Sequence, residues 1–264
     1  MTQETRTPLD DAHAAMEAAP DSETARLRFY ERLADGELYM LLDAEPEGRN
    51  ITPRVFPLED GPVVLLFDLE DRLSDFAAGA VPYAALSGRA VAELLAGQQI
   101  GLGVNLGHPS AIILPYQSVD WLAETLGHRP SETQDHPEQL SAPRGLPESL
   151  LTGLDAKLAR TAGLARFAYL VAVTYRGGRK GHLLAFVDSV PGAEDALAQA
   201  AGEALTFSGI EAGEMDVAFF RASDPVAARL AQAGLRFDLP EPEQIEPRQQ
   251  TAPGSDPSRP PILR

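Results

Sequence analysis

The side chains whose type and spacing could do chemistry fall into a few groups. Asp68, Glu70, Asp71 and Asp75 crowd the end of one apolar run and the start of the next segment. Two carboxylates work as general acid and base only where a cleft sets their environments apart. The same acids in a helix's first turn favour its positive end, and Asp68 can cap it; that structural role is the expected one. The histidines are His13, His108, His128, His136 and His182, and none stands four residues from another. His13 is expected in a floppy terminus. His128 and His136 share a stretch with Glu132 and Asp135, short of the four well-placed ligands of a structural zinc site. Asn105 and His108 flank a loop, NLGH, between two apolar segments. Loops at strand ends are where ligands are commonly held.

The glycines of GLGVNLG, 101–107, depart from the dinucleotide fingerprint in spacing and lead into an apolar strand rather than a helix. No Gly-Lys-Ser/Thr occurs, and no G-x-S-x-G elbow. Arg176, Arg179 and Lys180 in RGGRKG form a basic knot. It can receive an acidic partner or an anionic ligand through charge-assisted hydrogen bonds, or stand as a solvated hairpin tip. No catalytic residue, metal-ligand set or cofactor motif is assigned. The candidate binding residues are Asn105, His108, Arg176, Arg179 and Lys180.

Composition narrows the chemistry further. The 264 residues hold 22 Lys+Arg against 39 Asp+Glu, a formal charge of −17, and no cysteine. Absence of cysteine excludes disulfides, thiolate metal sites and thiol catalysis. The acid excess argues against duplex nucleic acid as a partner, since neutralising phosphates needs a basic surface. No apolar run is long enough to span a membrane. Asp10, Asp11 and Glu17 interrupt what would be a secretory leader. The expectation is a soluble cytoplasmic protein.

The elements that must position these groups read as α+β in two small mixed domains. Residues 127–146, with Pro130, Pro137 and Pro143 among polar residues, read as a linker or long surface loop. Residues 240–264 hold seven prolines and read as a Pro-rich disordered tail. Between them lie domains at 21–126 and 147–239. In the first, Ser22 caps a helix that Gly36 ends. A strand over 37–43 follows, then a hairpin across Leu58-Glu59-Asp60-Gly61 and a short helix over 69–77. Residues 82–86 form a strand, and Ser87 caps a helix burying Val91, Leu94 and Leu95. Strands at 100–105 and 111–115 precede a helix starting at Ser118 and carrying Trp121, Leu122 and Leu126. The second domain runs α-β-β-α-β-α, with Asp224-Pro225 opening its last helix. That order suits helices on one face of a small sheet.

The segments ELYMLL (37–42), GPVVLLFDLEDRLSDF (61–76), VPYAALSGRAVAELL (81–95) and IGLGVNLG with AIILPYQSVDWL (100–122) resemble, in order and spacing, the N-terminal domain of the SseB family. That family takes its name from enhanced serine sensitivity in bacteria. LLTGLDAKLARTAGLARFAYLV (150–171), VDSVPGAEDALAQAAGEAL (187–205), EMDVAFF (214–220) and AQAGLRFDL (231–239) resemble its C-terminal domain. The resemblance implies a soluble bacterial accessory protein linked to serine tolerance, with no established reaction, cofactor or catalytic residue. The leading expectation is a non-enzymatic protein whose surface engages a protein partner, with no nucleic acid or membrane partner and with its oligomeric state left open. One alternative is a small-molecule binder or sensor with a pocket near Asn105–His108. Another is a hydrolase using Asp68, Asp71 or Asp75.

Overall fold

A computed structural model describes residues 5–46, 48, 50–128, 136–209 and 215–241. All but the first two residues of the Pro-rich tail lie outside the described residues, as do Glu132 and Asp135.

The first body holds α1 (Pro8–Ala18), α2 (Glu23–Asp35), β1 (Glu37–Leu41), β2 (Val55–Leu58), β3 (Gly61–Phe67), α3 (Glu70–Ala77), β4 (Tyr83–Ser87), α4 (Gly88–Leu95), β5 (Gly101–Val104), β6 (Ile112–Leu114) and α5 (Tyr116–Gly127). The local signals act as expected. Ser22 Oγ accepts from Ala25 N, Gly36 closes α2, and Ser87 Oγ accepts from Ala90 N. The strands form one sheet in the order β4-β1-β3-β5-β6, with β2 on β3 beside the end of β1. β3 and β5 are parallel and the other pairs antiparallel. One face of the sheet is covered by α1, α2, α4 and α5, around Phe29, Leu33, Leu38, Leu66 and Leu122. Each such side chain, fully buried, contributes about 1.5–3 kcal/mol. The other face buries Val63, Leu65 and Phe67 under the short α3 through Leu73. Leu94, expected inward, stays over a third exposed, as does Trp121. Trp121 sits at the rim, its ring edge-on to Tyr30 at 5.1 Å.

The second body holds β7 (Pro137–Ser141), α6 (Glu148–Leu158), β8 (Phe167–Tyr175), β9 (Lys180–Val187), α7 (Glu194–Phe207), β10 (Met215–Phe220), α8 (Pro225–Ala233) and β11 (Leu235–Asp238). The expected α-β-β-α-β-α order is present, bracketed by two further strands. β7 comes from the segment read as a linker; it pairs antiparallel with β8, with a register shift between Pro137 and Gln139. Its PEQLS sequence lacks apolar alternation, so the pairing is not visible locally. The sheet order is β10-β9-β8-β11, with β7 also on β8. α6 and α7 cover one face. α8 covers the other, Leu230 packing on Val171, Tyr175 and Leu183. This corrects the expectation that all helices lie on one face: β8 is apolar on both sides, and a two-sided strand needs two layers.

The bodies meet where α2 and α4 approach α6 and α7. Lys157 Nζ donates to both carboxylate oxygens of Asp35 at 2.8 Å and to Glu203 at 2.9 Å. Arg89 makes a two-pronged pair with Glu203, both contacts 2.8 Å. Phe207 of α7 joins the first body's core.

Candidate functional site

An extended polar network anchors α1. Thr7 and Asp10 form a reciprocal capping box: Thr7 Oγ1 accepts from Asp10 N, and Asp10 Oδ2 accepts from Thr7 N at 2.8 Å. Pro8 supplies a fitting first helical residue. Leu9 and Ala12 then bury against α2, and His13 packs edge-on to Phe29 at 6.0 Å. His13 is therefore 7% exposed in an ordered helix, which overturns the expectation of a floppy terminus. The cause is long-range: the apolar stripe of α1 is short, and its partner residues lie on α2.

With α1 so placed, Asp10 meets Arg72 of α3. The Arg72 guanidinium, 4% exposed, donates to Asp10 at 2.8 and 2.7 Å, to Asp68 Oδ1 at 2.8 Å and to the Thr5 carbonyl at 3.3 Å. Ser110 Oγ donates to Asp10 at 2.5 Å and accepts from Asn105 Nδ2 at 3.0 Å. Asn105 Oδ1 accepts from Asp68 N at 3.0 Å, and Thr7 Oγ1 donates to Asp68 Oδ2. Asn105 takes a left-handed backbone, φ +50°, which asparagine tolerates better than most residues. Its side chain ties the β5–β6 loop to the start of α3.

Asp68 is thus not the helix cap foreseen for it. Leu69 holds the cap position without a side-chain bond, and Asp68 turns inward to Arg72. Asp71 and Asp75 are exposed on α3, and Glu70 accepts from Tyr83 Oη at 2.8 Å. The four acids are dispersed rather than gathered. Burial alone would raise the Asp10 carboxyl. Hydrogen bonds from Arg72, Ser110 and Thr7 N, with the guanidinium's charge, outweigh burial and hold it well below the ordinary carboxylate range. A carboxylate so strongly acidic is a poor proton acceptor at neutral pH. Ser110 gives its hydrogen bond to that carboxylate, whose low basicity leaves the hydroxyl proton in place at neutral pH.

Above the network opens a cleft of about 530 Å³, walled by Asp10, His13, Arg72, Pro109 and Ser110, with Arg6 and Glu17 also lining it. Of the sequence candidates, Asn105 supports the cleft from beneath. His108 lies half-buried in the same loop, its N–H donated to the Asn105 carbonyl at 3.0 Å. The basic knot is not gathered into one cluster. Arg179 pairs with Asp216 at 3.0 Å and stacks on Tyr175 at 4.0 Å. Lys180 lines a different groove, with Arg144 and His182. Arg176 is exposed, its N–H donated to the His136 carbonyl.

Asp10, Arg72 and Ser110 were not singled out in the sequence. Arg72 alone gave a signal, a cation four residues after Asp68 in an otherwise acidic run. Among the described residues no group of three or more His, Asp or Glu side chains could hold a metal ion, and no helix is long and apolar enough to cross a membrane.

Residues 9–121 match the family model of the SseB protein N-terminal domain. The matched span contains Asp10, Asp68, Arg72, Asn105 and Ser110, the whole of the buried network except Thr5 and Thr7. No curated protein and no solved structure matches the chain.

Proposed function

The chain carries an SseB N-terminal domain across residues 9–121, and from that premise we propose an accessory protein that acts by binding a small polar metabolite, without turnover, in the cleft beneath α1. One observation carries this reading. A cleft of about 530 Å³, within the usual range for small-ligand sites, sits on a polar floor already locked in place by buried hydrogen bonds. Preorganised walls lower the ordering cost of binding. Arg6 and Glu17 give the lining both charge signs, which suits a zwitterion such as a free amino acid. The serine link implied by the resemblance points to the same class. The resemblance of residues 150–239 to the family's C-terminal domain supports a second SseB-type unit in the same protein.

The test is thermal melting of the full chain with single free amino acids, against nucleotides and sugars as comparison. At one hundred times Kd a bound ligand stabilises by about 2.7 kcal/mol, a shift of several degrees. The reading requires that at least one amino acid raise Tm and that Arg6→Ala with Glu17→Ala remove the response. No shift with any amino acid, or a shift indifferent to those substitutions, overturns it.

A second reading, docking of a protein partner, draws support from the exposed Val55 and Leu58 on β2 and the half-exposed Ile113 on edge strand β6. Recovery of a stoichiometric partner that Ile113→Lys releases would favour it.

A further inference from the structure

The second body carries a groove of about 460 Å³ that plays no part in the α1 cleft. It lies where one sheet face outruns the helices covering it. Along β8 and β9, the cross-strand pairs Ala168/Phe186 and Leu170/Leu184 are buried with α6 and α7. Two residues further, the register sets Ala172 opposite His182, and then Thr174 opposite Lys180. Side chains alternate with period two, so these four continue the face of Leu170 and Leu184. Ser141 of β7 stands opposite Ala172 on the other side. Arg144, from the β7–α6 connection, completes the wall.

Among the described residues the lining therefore offers two cations, an imidazole and two hydroxyls, with no carboxylate among them. Arg144, Lys180 and His182 make no ion pair among the described residues. That is unusual in a chain with 39 acids and 22 bases. The neighbouring Arg179, by contrast, is neutralised by Asp216. A concave floor of low dielectric, here Ala172 at the end of the apolar face of Leu170 and Leu184, focuses the potential of like charges placed around it.

We propose that this groove binds the phosphoryl group of a small phosphomonoester. Such a group carries roughly −1.5 to −2 charge at neutral pH and three strong acceptor oxygens. Arg144 can meet two of those oxygens with parallel N–H donors, and Lys180 supplies a second charge. Ser141, Thr174 and His182 supply donors of fixed position. A lone carboxylate has one charge and two oxygens and would leave part of this set unused. The volume leaves room for the rest of a small metabolite.

The test is a titration of the ¹⁵N-labelled full chain with glycerol phosphate at constant ionic strength. The expected result is saturable shifts at the amides of Thr174, Gly181 and His182, with Kd on the order of 1 mM. The double variant Arg144→Gln, Lys180→Gln should weaken binding at least about tenfold. Both side chains are exposed, so the fold is not at stake. The proposal is overturned by an absence of saturation, by an equal response to sodium chloride, or by shifts that survive the double substitution. Saturation by a short glutamate-rich peptide but not by glycerol phosphate also overturns it, and would assign the groove to an acidic protein surface.

Discussion

The Lys157 ammonium lies 2.8 Å from each carboxylate oxygen of Asp35, across 122 residues of chain. The contact joins α6 of the second body to the end of α2 in the first, and both side chains are over nine-tenths buried. Glu203 shares the same ammonium and takes Arg89 on its other side. Two cations therefore answer two buried acids at the junction.

Removing one member of such a set costs more than the set contributes, because the remaining charge stays buried without a partner. Lys157→Met should destabilise the protein by about 3–5 kcal/mol. Pairing it with Asp35→Leu should recover part of the loss. Urea midpoints of the four proteins in that cycle measure the coupling. Additive losses would mean that the two residues do not sense each other.

Arg72→Met strands Asp10 and Asp68 in the same way, at an expected cost of about 3–5 kcal/mol. The damage should be local first. Amide exchange in α1, at Leu9 and Ala12, should accelerate before that in α2, since the guanidinium is the polar tie between α1 and α3. Uniform acceleration through the first body would contradict this.

Acidification should unmake both clusters. At Asp10 and Glu203 burial raises the carboxyl, yet hydrogen bonds and charges from Arg72 and Ser110, and from Arg89 and Lys157, bring it below its ordinary value. A depressed folded-state carboxyl adds stability that is complete above the unfolded value near pH 4 and is lost as pH falls toward the folded one. Tm should therefore fall steeply below about pH 4, and Asp10→Asn should flatten that limb while lowering Tm at pH 7. Glu31 has the opposite sign. Burial raises it despite Lys157 and Arg32, and its Oε1 has no partner. Its ionisation opposes folding as pH rises above the ordinary carboxyl value, so Glu31→Met should raise Tm at pH 7 and change little at pH 4.

What the sequence made legible were the signals that act over a few residues. Ser22, Gly36 and Ser87 announce helix ends, and Leu58–Gly61 announces the β2–β3 hairpin, because caps and turns depend on local backbone chemistry. The Ala- and Leu-rich stretch of α7 and the continuous apolar run of β8 did the same for the second body. The polar sites were not legible. Asp10 and Arg72 are 62 residues apart, and neither position marks itself as buried. Lys157 does so faintly: it is one of two lysines in the chain, set between Leu154 and Leu158 on an inward face. β7 has no amphipathic pattern because its pairing rests on backbone bonds to an edge of β8.

Two glycines separate close packing from chance. A Cβ built on Gly88, the first residue of α4, would fall 1.8 Å from the Leu33 carbonyl oxygen of α2. Gly88 N also donates to the Gly36 carbonyl at 3.0 Å, so the two chain segments cannot part without losing that bond. Gly88→Ala should cost about 1–3 kcal/mol, the usual range for forcing atoms into a filled site. Gly202, inside α7, has nothing within 4 Å of its would-be Cβ. There alanine relieves the entropy that glycine loses in a helix, and Gly202→Ala should stabilise by about 0.5–1 kcal/mol. Urea melts of the two variants should move in opposite directions, and movement in the same direction would place the α2–α4 contact further apart than 3 Å or so of hydrogen-bond reach.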